Sequence, residues 1–524
     1  MWYLLACPSP APTHDSTVTD SEPDVGDDSQ QESSADPCDV PEICNGVDDD
    51  CDGAIDEGVM ETFYEDLDGD GFGGEQEPIE ACERPAGYVD NSGDCDDGEA
   101  EINPDAEEIC NDGIDNDCDE AAEGCDWGDT ITSADAGLLI EGEAGSGFGA
   151  ALHLSAGALA IGAPTQDSKG AIFVFANDST GELSSDDAYF RLNGSSAGQG
   201  LGNALAGLGD LDGDGSPSVA VGASTANGSA GEVYLVELSG TGVVDTDWAE
   251  ARLTASDGQG GAGTALAGGD HDGDGEVDVA VGVPRYGTGS SRKGAVYLMN
   301  GPITSSGLAG AGFRLTGPEG ARAGQALAMG DLSGDGISDL TVGAYWDSTY
   351  SEKAGAVYVV EGPLSANTSL DDAAGQLIGP HNAAFAGSSL ADLGDINNDG
   401  YDDLAVGVPG MDRDADVDVG AVMLVYGPVT AEGMLEDFSR VEGANAYDQA
   451  GDILGDADGA LLIGGANGWV QLGPWSGTIT VEGTPHRIDA APTAMTGGAV
   501  SADSERDLVI GETDRVWVVF GEGI

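Results

Sequence analysis

The sequence predicts an all-β fold, a seven-bladed β-propeller preceded by a small disulfide-rich, loop-dominated acidic module. Three observations carry this. An acidic, glycine-rich loop running straight into an alternating apolar strand recurs at Asp210 ("DLDGDGSPS"), Asp270 ("DHDGDGEVD"), Asp331 ("DLSGDGISD") and Asp395 ("DINNDGYDD"), with starts 60, 61 and 64 residues apart. Each repeat also holds four apolar segments in a fixed order, in the third "EARLTA", "GTALAGGD", "DVAVGVP" and "GAVYLMNG". Short period-two strands parted by Gly, Pro and Asp are β-structure, and four per unit of roughly 60 residues are propeller blades. Finally, eight of the nine cysteines lie between Cys38 and Cys125, and none follows.

Composition limits the partners. The 524 residues carry 15 Lys and Arg against 98 Asp and Glu, a formal charge of −83. Such a surface repels nucleic acid and anionic lipid, and repels itself unless cations neutralise part of it. The 86 glycines suit a chain of tight turns. No apolar run approaches the roughly 18 residues of a membrane-spanning helix. Contact with a membrane is therefore expected only through a lipid anchor.

The chain opens "MWYLLACPSPAP". Leu4-Leu5-Ala6-Cys7 resembles the lipobox of bacterial lipoproteins, which implies lipidation of Cys7 and a place on the outer membrane or cell surface, or secretion. A leader needs a basic start, whereas the first basic residue here is Arg84. Residues 1–7 are thus expected to be the truncated end of such a signal; the alternative is an incidental thiol. Residues 8–37, rich in Ser, Thr, Pro, Asp and Glu, bury too little to offset chain entropy and read as a disordered tether.

Residues 38–126 form the acidic module. From Cys38 to Cys125 there are 32 carboxylates and one basic residue, Arg84. Cys38, Cys44, Cys51, Cys82, Cys95, Cys110, Cys118 and Cys125 read as four disulfides of an oxidising compartment. Zinc is the competing reading, against which stands the absence of paired CxxC knuckles. "EICNGVDDDCDGAIDEG" is echoed by "EICNDGIDNDCDEAAEG". Between them Asp66, Asp68, Asp70, Gly71 and Glu77 fall at positions 1, 3, 5, 6 and 12 of a calcium-type loop, without the flanking helices of an EF-hand. "FYEDLDGDGFG", "CERPAGYVDNSGDCDD" and "EICNDGIDNDCD" resemble the metal-binding repeats related to the methanotroph surface copper protein MopE. The resemblance implies a metal. With no His and one Met (Met60) across 38–125, hard oxygen donors point to calcium, and copper is disfavoured.

Residues 131–524 hold the repeats. "FGAALHL" with "LAIGAP", "LAGLGDLDGDG", "DVAVGVP", "DLTVGAY", "DLAVGVP", "GAVYL" and "GAVMLVYGP" resemble the FG-GAP repeat of integrin α-subunit propellers. Seven units are centred near 137–175, 188–237, 250–300, 312–361, 376–427, 438–472 and 479–520. The last two keep strands but no acidic loop. "GLLIEGE" near Gly137 is an outer strand with no preceding blade, and the chain stops after a third strand, "VWVVFG"; the first is expected to complete the last blade and leave no open edge.

Each acidic loop is expected to join strand one to strand two and to hold calcium. Positions 1, 3, 5 and 9 offer side-chain oxygens, position 7 a carbonyl, and glycine at position 6 makes the turn. The sets are Asp210, Asp212, Asp214 and Ser216, with Ser218 a weak ninth position; Asp270, Asp272, Asp274, Glu276 and Asp278; Asp331, Ser333, Asp335, Ile337 and Asp339; and Asp395, Asn397, Asp399, Tyr401 and Asp403. About four propeller ions and one or more in the module are expected. At extracellular affinities of roughly 0.1–1 mM, each contributes from ~0.4 to ~1.4 kcal/mol in about 1 mM calcium, so the ions are structural.

Arg191, Arg252, Arg314, Arg440 and Arg487 recur at one outer-strand position and read as scaffold. Arg285, Tyr286, Arg292, Lys293, Tyr345, Trp346, Tyr350 and Lys353 lie instead on the connections between strands two and three. By resemblance to integrin-like propellers, those connections line the ligand-meeting face, opposite the calcium loops. A basic, aromatic rim fits a surface protein or glycan; ordinary loop decoration is the alternative. There is no GxSxG, HExxH or phosphate-binding loop, and the five histidines are scattered, so no catalytic residue is assigned. A calcium-binding, surface-tethered binding or adhesion protein is expected; alternatives are metal storage through the acidic module and a propeller associated with a hydrolase.

Overall fold

The computed structural model describes residues 41–519, apart from 75–77, 101, 105, 107–117, 119–129, 132, 134–135, 156, 177–178, 256–259, 290–291, 414–416, 444, 446, 458–459, 466–467, 473–477, 481–485, 489–491 and 499–506. The chain divides into two compact units, Met1–Glu123 and Gly124–Ile524.

In the first unit Glu61–Glu65 pairs antiparallel with both Ile79–Ala81 and Tyr88–Val89, and Gly73–Gly74 pairs in parallel with Ser92–Asp94. Phe63 and Ile102 are buried, whereas Ile43, Val47, Ile55 and Leu67 are exposed. So small an apolar core needs covalent help. Disulfides Cys44–Cys82 and Cys95–Cys118 supply it, and Cys51 is also disulfide-bonded. Cys7, Cys38, Cys110, Cys125 and Glu77 lie outside the described residues.

The second unit is built from seven five-stranded sheets. In the third blade these are, from the inside, Leu266–Gly269, Asp278–Val283, Ala295–Met299, Phe313–Thr316 and Thr368–Ser369. "DVAVGV" and "AVYLM" are buried at every position because sheets pack against both of their faces. The outer "ARLT" of the second blade alternates between buried and more exposed positions, as a strand with one covered face does. Helix is confined to turns of three or four residues among the described residues.

Four strands per blade were expected, and the structure has five. The fifth is a short segment, donated by the following repeat, that runs parallel to the fourth strand: Gly242–Asp245 on Phe190–Asn193, Ser306–Gly307 on Ala251–Thr254, Thr368–Ser369 on Phe313–Thr316. Segments of two to four residues are too short to show the alternation by which a strand is read. The sequence repeat is also offset from the blade by one strand, since the "FRLN" or "ARLT" that opens a repeat closes the blade before it.

Ring closure follows from the same offset. Leu138–Glu141 pairs antiparallel with Arg515–Val519, and Thr130–Ile131 pairs in parallel with His486–Ile488. The innermost strands lie side by side around the ring, with Ala494–Gly498 against Ala151–Ser155 closing it.

Neighbouring blades meet backbone to backbone. A Cβ at Gly162, Gly222, Gly282, Gly343, Gly407 or Gly511, all in strand two, would stand 2.1–2.3 Å from a glycine carbonyl oxygen of the next blade. Gly343→Ala is therefore expected to cost at least about 2–3 kcal/mol, because neither backbone can retreat without moving a blade. Gly320→Ala faces open space and bears only left-handed strain at φ +84, about 1–2 kcal/mol. Urea unfolding of the two variants checks the difference; equal losses would contradict this account of the junction.

Candidate metal sites and the loop rim opposite them

The four acidic loops connect strand one to strand two at one end of the ring. Each is wired by its own carboxylates. In the second blade Asp210 accepts from the amides of Gly213 (2.8 Å), Asp214 (3.1 Å) and Gly215 (2.7 Å), Asp212 from Asp214, and Asp214 from Ser216. The third blade repeats the pattern with Asp270, Asp272 and Asp274. The fourth and fifth keep its core through Asp331 and Asp335, and through Asp395 and Asp399. Glycine at position 6 was expected. Position 4 is left-handed too, at Gly213, Gly273, Gly334 and Asn398, the last being a residue type that tolerates this backbone. The outcome is a tight loop with carboxylates turned inward; Asp210, Asp212 and Asp214 each bring an oxygen within 4.8 Å of the others.

The ninth position separates the loops. Asp278, Asp339 and Asp403 are buried. Each accepts one amide of its own loop (His271, Ser333, Ile396) and one from the glycine after strand three (Gly301, Gly362, Gly427). Burial raises all three, Asp339 and Asp403 to about 6. Ser218 in the second blade uses its backbone groups toward Leu208 and Gly209. With Asp210, Asp212 and Asp214 exposed, that loop is the most open of the four.

Consecutive loops are linked to one another, which the repeat alone does not reveal. The Ser338 amide donates to the Asp270 carbonyl (2.8 Å), and the His271 ring faces the Ser338 carbonyl through Nδ1 (2.7 Å), away from its own loop. The Asp402 amide donates to the Asp331 carbonyl (2.9 Å) while the Asp402 carboxylate accepts the Asp331 amide (2.6 Å). Asn300, also missed in the sequence, donates to Asp272.

In the first unit Asp66, Asp68 and Asp70 repeat the propeller wiring, with amides of Gly69, Asp70 and Phe72 as donors. Strands flank this loop, in agreement with the absence of an EF-hand. Glu42 also accepts from the amides of Asp49, Asp50 and Asp56, and Asp56 from those of Asn45 and Gly46, while Glu42 with Asp50 and Glu57, and Asp48 with Asp50 and Asp52, form two further oxygen clusters. Cys44 and Cys82 approach Asp56 closely, but their sulfurs are spent in a disulfide. Every remaining donor in these loops is oxygen, the set that hard cations take.

At the opposite end of the blades lie the connections between strands two and three and those from each strand four to the next blade. Of the predicted rim, Arg285 reaches the Ser224 carbonyl (3.4 Å), and the half-buried Tyr286 accepts from Arg314 (2.8 Å) while packing on the core. Arg292 and Lys293 are half-buried, and the Lys293 carbonyl accepts from the Ala323 amide. Tyr350 is exposed. The cluster forms around Trp346. Arg322 lies 3.3 Å and Lys353 4.9 Å from its ring centroid, and Arg322 also donates to the Tyr345 hydroxyl (2.9 Å). Arg322 was missed because it sits on a strand-four connection, at a left-handed φ of 56. Other blades place Gly200, Gly261, Phe385 and Gln449 there, also at positive φ. Of the recurring outer-strand arginines, Arg191 pairs with Asp167, Arg252 with Glu232 and Arg440 with Glu442, whereas Arg314 donates to Tyr286 on the rim.

The FG-GAP repeat model matches residues 262–299 and 323–360, which contain the loops of the third and fourth blades. A second family model, described as "Putative metal-binding motif" and named for copper-binding MopE, matches 36–57 and 94–123. Integrin alpha-3 of Cricetulus griseus is 35% identical over 198 residues, 37% of this chain and 18% of its own length. Integrin alpha-3 of Mus musculus is 41% identical over 134 residues, 25% and 12%. Integrin alpha-4 of Xenopus laevis is 37% identical over 123 residues, 23% and 11%. The chain carries integrin-like FG-GAP repeats and a MopE-type metal-binding motif. It spans less than a fifth of the length of these relatives.

The raised carboxyls fix a pH dependence. A folded-state value of about 6 at Asp339 and Asp403 stabilises the metal-free protein below the ordinary carboxylate range and is lost as pH rises through 6. In chelator, Tm is expected to fall between about pH 4.5 and about pH 7.5. A millimolar hard divalent cation should restore about 5 °C at the upper pH and almost nothing at the lower, where protons occupy the sites. Scanning calorimetry reads both arms, and a larger gain at low pH would contradict the assignment.

Proposed function

We propose that the protein is a calcium-binding, surface-tethered binding or adhesion protein without enzymatic activity. Its propeller offers the loops opposite the acidic rim to a protein or an acidic glycan. The observation that carries the ligand face is the Trp346 cluster, an aromatic ring between Arg322 and Lys353 beside Tyr345. In a chain of net charge −83 with 15 basic residues, two cations on one indole form a local attractive patch. Aromatic and arginine side chains are the usual anchors of interfaces. The likeness to integrin alpha subunits supports the same reading.

Calcium is proposed for the acidic loops because their donors are carboxylates and carbonyls on a turn that suits a large hard ion. Tethering through a lipidated Cys7 is proposed from the sequence, with secretion as the other route to the surface. A second reading, a surface metal protein acting through the first unit, is favoured by buried carboxylate oxygens there without partners. Copper suits the acidic module poorly, since residues 38–125 hold no histidine and Cys44, Cys82, Cys95 and Cys118 are in disulfides.

Binding of the full chain to immobilised acidic polysaccharides and to cell-surface protein extracts, in calcium, tests the ligand face. Trp346→Ala and Arg322→Ala are expected to weaken binding at least about tenfold. Asp335→Asn in saturating calcium should leave it within about twofold. Unchanged binding by both rim variants would place the ligand elsewhere on the molecule.

A further inference from the structure

We propose that Asp94 completes a calcium site with Asp66, Asp68 and Asp70, so that one hard divalent cation ties the loop 66–70 to the strand Ser92–Asp94. The inference rests on the reading of the acidic loops as cation sites and adds a ligand that lies outside the loop itself. In the propeller the buried carboxylate comes from position nine, at Asp278, Asp339 and Asp403. Counting nine from Asp66 arrives at Gly74, which has no side chain to offer. Gly74 is, however, the register partner of Asp94 in the parallel strand pair. The missing carboxylate therefore stands on the adjacent strand.

The environment of Asp94 fits this role. Its side chain is buried, at 6% exposure. One carboxylate oxygen accepts the Asp96 amide (2.9 Å), and the other has no hydrogen-bond partner. Asp68 and Asp70 each hold a buried Oδ2 without a partner as well. The charges of Asp70, Asp68 and Asp97 all act on Asp94. Asp97 binds the loop directly, accepting the Leu67 amide at 3.0 Å. Buried like-charged oxygens with no donors are unfavourable in isolation, and a cation among them offsets that cost. Oxygen ligands, with no histidine between Cys38 and Cys125, select calcium over copper or zinc.

Hydrogen exchange on the full-length chain, in chelator and in millimolar calcium, tests the site through peptides covering 61–74, 88–97 and, in the propeller, 331–339. Calcium is expected to slow exchange in 61–74 and 88–97 together, at least about tenfold at ten times the dissociation constant. Asp94→Asn should abolish that protection in 61–74 while 331–339 responds as before, and Asp90→Asn should change neither. Where Asp94→Asn leaves titratable thiols, showing that Cys95–Cys118 has not formed, Asp68→Asn is read instead and should remove protection from 88–97. Protection of 61–74 that survives Asp94→Asn, or that copper or zinc provides and calcium does not, overturns the proposal. Loss of the calcium response at 331–339 alone would overturn the propeller reading and leave this site standing.

Discussion

Consecutive blades approach until a Cβ on a strand-two glycine would overlap a backbone oxygen of the next blade, as at Gly282 with Gly324 and at Gly343 with Gly387. No side chain larger than hydrogen fits between them. This contact sets the angle and separation of neighbouring sheets, and so the curvature that brings the seventh blade back to the first. Closure then rests on Leu138–Glu141 beside Arg515–Val519, and the remaining strand edges are covered by segments lent from the following repeat. A ring closed in this way keeps its short loops at two ends and its apolar strands between them.

Electrostatics is organised around that division. One end carries four carboxylate-rich loops, three of them with a buried ninth-position aspartate whose carboxyl burial raises, at Asp339 and Asp403 to about 6. A cation among such carboxylates would offset their repulsion, and hydrogen bonds from Ser338 to Asp270 and from Asp402 to Asp331 join one loop to the next. The other end places two of the few basic residues, Arg322 and Lys353, on Trp346. That contrast between an acidic body and one basic, aromatic patch is the ground on which the proposed ligand face rests.

Much of the propeller was legible because its determinants are local and repeated. The acidic loops, the alternating strands and the unmatched outer strand at Leu138 could each be read from a short window of sequence. What escaped depends on neighbours that are distant in the chain. The fifth strands, such as Ser306–Gly307, exist only because a partner edge is present. Asp402 bonds to Asp331 across 71 residues. Arg322 carries no motif and reaches Trp346 because its connection folds over the adjacent loop. Asp94 became visible only once its pairing with Gly74 was known. On the rim, Tyr286 looked exposed by composition, yet its ring packs on the core and its hydroxyl meets Arg314.

Hard oxygen sites, which we propose are filled by calcium, organise both units. Elemental mass spectrometry of the full chain, purified in buffer containing equal calcium and copper, tests it most directly. The account predicts about four calcium ions in the propeller and at least one in the first unit, with copper near background. Copper retained in place of calcium, or a chain that leaves the column without bound metal, would contradict it.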